Sequence, residues 1–132
     1  MLNSVDVRSA FISHIKSKTA ITSLLSSADD IKEAQWQGTD FNYPAVRVSM
    51  DFLPSVDGCS PDNADFVIET FSEEKSSKQA DTISDTIVST YHRHPFIQDS
   101  IKFNPVIVAR KDKAYSSIYG WLSRVELRTQ VV

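Results

Sequence analysis

Apolar residues recur along this chain in two rhythms, and the switches between them mark the elements. Over residues 5 to 26, Val7, Ala10, Phe11, His14 and Ile15 fall at three- and four-residue steps, which predicts a helix with one apolar stripe. Ser17, Lys18 and Thr19 interrupt it with a capping signal. Ala20, Ile21, Leu24 and Leu25 then resume the stripe, so a kink or two short helices is expected. From Ser26 to Pro44 the chain is polar and mixed. It reads as a surface loop, with Ile31 to Gln35 as a weak strand and Gly38-Thr39-Asp40 as a turn. At Ala45 the period changes to two. Val46, Val48, Met50 and Phe52 alternate with Arg47, Ser49 and Asp51 as far as Leu53, the pattern of a strand with one wet face.

Pro54 ends that strand, and the turn-rich stretch Ser55 to Asn63 predicts a long hairpin connection. Ala64 to Ser72 alternates again through Phe66 and Ile68, and its antiparallel pairing with Ala45 to Leu53 is the firmest contact expected. Ser76-Ser77-Lys78-Gln79 has the spacing of a capping box. Ala80, Ile83, Ile87, Val88 and Tyr91 form the stripe of a second helix, which Pro95 stops at Tyr91 or His92. Lys102 to Arg110 predicts a strand in which Pro105, having no amide to donate, marks an edge or a bulge. Lys111-Asp112-Lys113 is expected to turn. Ser116 to Val131 then alternates, with Tyr119, Trp121, Val125 and Leu127 apolar and Arg124, Glu126 and Arg128 polar. Sixteen extended residues would reach about 50 Å, against a radius of gyration near about 14 Å for this length, so that strand must bend or project. The expected architecture is α+β, one domain over residues 1–132. An antiparallel sheet carries helices packed on one face, in the order helix, hairpin, helix, hairpin.

Composition narrows function mainly by exclusion. At 132 residues, 41% hydrophobic and 23% charged, the chain fits one folded domain rather than a disordered or membrane protein. A net charge of −3 gives no bulk attraction to polyanions. The lone Cys59 rules out an internal disulfide and a multi-cysteine zinc site. The N-terminus lacks the apolar run of a signal peptide, so synthesis in the cytoplasm is expected, with no membrane partner.

The most suggestive chemistry is His92-Arg93-His94 with Asp85 seven residues before His92. Imidazoles two apart can share a metal when the backbone is extended. Further ligands would have to come from Asp81, Asp99 or His14, at no recognised spacing, and a solvated helix end explains the cations as well. Cys59 lies between Gly58 and Ser60 with Asp57 and Asp62 close by, which raises a thiol pKa and disfavours a nucleophile. Asp29-Asp30 and Glu73-Glu74 read as solvated charges, and Trp36 and Trp121 as core or interface residues. Three glycines leave no phosphate-cradling loop and no Gly-x-Ser-x-Gly elbow. No catalytic, metal or cofactor-binding residues are therefore assigned. A small metal-dependent hydrolase using His92 and His94 is the alternative of another class.

One asymmetry remains. Residues 1–100 hold 8 basic and 15 acidic side chains, a balance of −7. Residues 101–132 hold 6 and 2, a balance of +4. A dipolar monomer would explain this, and so would a head-to-tail contact between copies. The candidate interface residues on the basic part are Arg110, Lys111, Lys113, Arg124 and Arg128.

The order of elements resembles a known family. The helix opening Val7-Arg8-Ser9-Ala10-Phe11-Ile12, the segment Phe41-Asn42-Tyr43-Pro44-Ala45-Val46-Arg47-Val48, the strand Phe66-Val67-Ile68-Glu69-Thr70-Phe71-Ser72 leading into Lys78 to Tyr91, and Ile118-Tyr119-Gly120-Trp121-Leu122-Ser123-Arg124-Val125-Glu126-Leu127 are together similar to the tail-completion or tail-terminator proteins of tailed bacteriophages. The loop Pro54 to Asn63 and His92-Arg93-His94-Pro95 depart from the pattern. The resemblance implies a virion structural protein of the tail or neck, assembled in the host cytoplasm. It would form a ring, usually of six copies, that caps the tail-tube protein and joins it to the head connector, with DNA passing through the hole unread. A head-tail connector or neck adaptor is the alternative within virion proteins.

Overall fold

The computed structural model describes residues 2–33, 42–55, 61–117 and 120–132. The predicted turn at Gly38 to Asp40, Trp36, Cys59, Ile118 and Tyr119 lie outside the described residues. Helix α1 spans Ser4–Lys16, where Asn3 caps the start by accepting the Asp6 amide on its Oδ1 at 2.8 Å. The apolar stripe breaks at Ser17 and resumes in the single turn α2, Thr19–Thr22. A 3-10 turn, Ala28–Asp30, is closed by a capping box between Ser27 and Asp30 and feeds strand β1, Ile31–Glu33. The remaining strands are β2 Ala45–Leu53, β3 Asp62–Ser72, β4 Phe96–Gln98, β5 Ile101–Ser116 and β6 Gly120–Val131. Helix α3, Lys78–Tyr91, lies between β3 and β4 in sequence.

The six strands form one curled sheet in the order β1-β2-β3-β6-β5-β4. The expected pairing of β2 with β3 is present, antiparallel, with Val48 opposite Ile68 and Met50 opposite Phe66. The sheet as a whole is mixed rather than antiparallel, because β1 runs parallel to β2. β1 and β4 each add a three-residue edge strand to the predicted pair of hairpins. One hydrophobic cluster unites Val7, Phe11 and Ile15 of α1, Ile83, Ile87 and Tyr91 of α3, and Val46, Val48, Phe66, Ile68, Phe103, Val125 and Leu127 of the strands. The alternating apolar positions of β2, β3 and β6 therefore face the same interior as the helical stripes.

Several local expectations are corrected. Lys111-Asp112-Lys113 lies within β5, each residue paired to β6, so the turn comes after Ser116 and β5 is the longer strand. Pro105 does coincide with a register shift, between Phe103 and Val106. The capping box at Ser76 does not form. The cap of α3 is Ser77, Ser77 Oγ donates to the Asp81 carboxylate at 3.0 Å, and Gln79 accepts from Ser72 Oγ at 2.7 Å. Arg47, expected on a wet face, is buried because the chain around Asp30 lies over the start of β2. Its Nη1 donates to the Asp30 carbonyl at 3.0 Å and the Val46 carbonyl at 3.1 Å.

Candidate interface surface

The outer face of the sheet is ordered by register. Outward residues fall into rows across β2, β3, β6 and β5: Arg47, Glu69, Arg124 and Asp112 in one, then Ser49, Val67, Glu126 and Arg110, then Asp51, Asp65, Arg128 and Ile107. The first row alternates in sign across all four strands. Arg124 Nη2 lies 3.4 Å from the Glu69 carboxylate, and Arg110 lies 3.0 Å from Asp112. The cross-strand pair Arg124–Glu69 stabilises by a few tenths to about 1 kcal/mol, and the mixture of signs leaves this face nearly neutral.

The five basic residues singled out from sequence thus divide between two faces. Arg110, Arg124 and Arg128 point outward. Lys111 stands opposite buried Val125 and Lys113 opposite buried Ser123, and both turn toward α3. Lys111 Nζ pairs with Asp85, while Lys113 Nζ lies 3.3 Å from both the Asp81 carboxylate and Ser77 Oγ. Burial alone would raise the Asp81 carboxyl, but hydrogen bonds from Ser77 and Lys113, with the charges of Lys113 and Lys111, hold it below its ordinary value. The long hairpin is thereby pinned to α3 on one side.

Among the described residues, a strand covers its other edge only at the start. β4 pairs with β5 at Ile101–Phe103. Beyond that, the Arg93 amide donates to the Val106 carbonyl at 2.8 Å, and the Val108 amide donates to His92 Nδ1 at 3.0 Å. His94 Nδ1 turns back to the His92 carbonyl at 2.7 Å. The histidines of the candidate metal motif are therefore engaged with backbone, and Arg93 sits at φ 61° in the tight turn that brings them there. Among the described residues, no group of three or more His, Cys, Asp or Glu side chains is placed to hold a metal ion.

The third histidine is buried on the apolar stripe where the sequence placed it, and only its partners were hidden. His14 is buried between α1 and α3, its Nδ1 2.8 Å from Tyr91 Oη, and its ring stacks on Phe96 at 3.8 Å. Burial, with a smaller contribution from Lys18, lowers its pKa to about 4, and burial raises the Tyr91 phenol. The signal available in the sequence was its place on the apolar stripe of α1.

At the hairpin tip, Tyr115 is 65% exposed and meets Trp121 edge-on at 5.3 Å, while Trp121 Nε1 donates to the Lys75 carbonyl at 3.1 Å. At the opposite end of the sheet, exposed Leu53 and Ile107 border an open groove with Asp51, Asp65 and Arg128. Among the described residues, no helix is long and apolar enough to cross a membrane.

No family model matches this sequence, and no curated protein matches it. Among solved structures, a chain of the virion of a native gene transfer agent particle shares the fold. The TM-score is 0.75 over 95% of this chain and 93% of that one, at 11% sequence identity.

Proposed function

We propose that this chain is a structural protein of a phage-like virion and acts as a tail terminator, a ring, of six copies by the family pattern, that caps the tail tube and meets the head connector. The observation that carries the reading is the shared fold with a gene transfer agent virion chain along nearly the full length of both. Two physical features are consistent with it. The outer sheet face carries nearly balanced charge with a slight negative excess, which suits a wall past which DNA must slide, since unpaired cations would hold phosphates. The 16-residue β5 and its hairpin partner supply a long sheet margin through which copies can join. In this reading Arg110 and Arg128, on the outer face, border the contact, and Lys111 and Lys113 brace the hairpin from behind.

The test is negative-stain microscopy of particles made without the protein. Unjoined heads with tails that overgrow or lack a finished head-proximal end are expected. Unjoined heads with finished tails of normal length would favour a connector instead, and normal particles would overturn both.

A further inference from the structure

We infer that copies of this chain join by strand addition, the margin of β5 in one copy pairing antiparallel with the margin of β2 in the next, along stretches that no strand of the described residues covers. The inference rests on the ring reading above and adds its contact.

The register shows which backbone groups are available. Val106 and Val108 turn their backbone away from β6, toward Arg93 and His92. Ile107, facing Arg128, therefore turns toward β6. An extra residue at Ala109 shifts the phase, so that Arg110, Asp112 and Ala114 face β6 in the same way. The amides and carbonyls of Lys111, Lys113 and Tyr115 then point to the open side, where no strand of the described residues covers them. Lysines usually guard such an edge with charge. Here Asp85 and Asp81 draw Lys111 and Lys113 back onto α3, and Arg110 and Asp112 pair with each other on the outer face.

The opposite margin of the sheet offers a match. β1 covers β2 only at Val46 to Val48, and among the described residues no strand covers the stretch from Ser49 to Leu53. Both stretches are five residues long, 111–115 and 49–53. Each carries a large exposed apolar side chain, Tyr115 at 65% and Leu53 at 66%. The direction follows from topology. β2 and β5 are separated by three successive antiparallel pairings, so they run oppositely within one copy. Rotation about an axis along the strands preserves strand direction, so β5 meets the neighbour's β2 antiparallel. In the sheet, 111–115 lies level with 44–48, and only an even step keeps outward side chains on one face, so a join that sets Ala114 opposite Asp51 steps by six residues, roughly 20 Å. Closed sheets require a stagger of this kind.

Proline separates backbone from charge. Lys113→Pro removes an amide that points away from β6, so the ladder within the chain survives, whereas Lys113→Ala removes the ammonium and keeps the amide. In sedimentation of the purified chain, Lys113→Pro is expected to associate about tenfold or more weakly than Lys113→Ala, the variant that lacks the ammonium alone. Hydrogen exchange on wild type gives an answer even if the proline variant unfolds. The amides of Lys111, Lys113 and Tyr115 should slow at least about tenfold on assembly. To identify the occupant, Ala114→Cys and Asp51→Cys are combined in a Cys59→Ser background and treated with a short thiol cross-linker. A ladder of linked copies from the double variant alone is expected. Dimers from Ala114→Cys alone would mean that β5 pairs with itself and would overturn the inference. An oligomer with no ladder and fast amides would overturn it while leaving the ring standing, and a wild type that stays monomeric at every concentration counts against both.

Discussion

Phe11 of α1 stacks on Phe66 of β3 with ring centroids 4.0 Å apart and planes inclined by 19°, and both rings are buried. This pair fastens the N-terminal helix to the central strands, with Phe103 and Tyr91 packed around it. Phe11→Ala should cost about 3–5 kcal/mol. Ile87→Asp, which buries a charge in the same cluster, should cost at least several kcal/mol. Denaturant unfolding checks both, and a melting point within a degree of wild type for either variant would refute this packing.

Stability should fall on mild acidification. His14 has its pKa lowered from the ordinary 6.5 to about 4 in the fold by burial, with a smaller contribution from Lys18. Above pH 6.5 it is neutral in both states and its contribution is complete. Between about 6.5 and 4 the unfolded chain takes up the proton first, so stability is lost as pH falls, by up to about 3 kcal/mol. His14→Gln should be less stable at neutral pH and flatter across this window. An equally steep profile in that variant would assign the acid sensitivity elsewhere.

Gly120 opens β6 at φ 79°, and a side chain there would collide with the backbone carbonyl of Ser72. Gly120→Ala should cost about 1–3 kcal/mol from backbone strain and contact together. A thermal melt comparing the variant with wild type is sufficient, and an unchanged midpoint would disprove the close approach.

The two outward arginines of β6 should separate in their effects on the monomer. Arg124→Glu places a carboxylate against half-buried Glu69 and should cost about 1–2 kcal/mol. Arg128 is exposed beside Asp65, and Arg128→Glu should cost less than about 1 kcal/mol. If Arg128 borders the contact between copies, its reversal slows association without changing the melt by more than that. Unaltered association would remove Arg128 from the interface.

Much of the fold was legible because its signals were local. Val46 to Phe52 and Ala64 to Ile68 alternate cleanly, and the stripe Ile83, Ile87, Tyr91 has no competing reading. What escaped depended on distant partners. Lys111-Asp112-Lys113 looks like a turn by composition. It is strand because β6 supplies the ladder, while Asp81 and Asp85, about thirty residues earlier, supply the countercharges. Arg47 seemed exposed because the carbonyl that receives it belongs to Asp30. β4 consists of Phe96, Ile97 and Gln98, too few residues for a period to be seen. The candidate surface was legible only as a surplus of positive charge. Its division between an outward face and a braced inner one is a property of register, which charge counting does not contain.

The last strand of the chain is not at the margin of the sheet but inside it, with β3 on one side and β5 on the other. Asp62 pairs with Val131 and Ser72 with Trp121, closing loops of some fifty to seventy residues. Such distant pairings form late and slowly. A nascent chain therefore cannot complete its sheet until β6 has left the ribosome, and until then β3 presents a bare edge along its whole length. Shortening the chain before Trp121 should yield aggregates rather than a weakened domain, whereas a tag after Val132, which is exposed at the end of the ladder, should be tolerated.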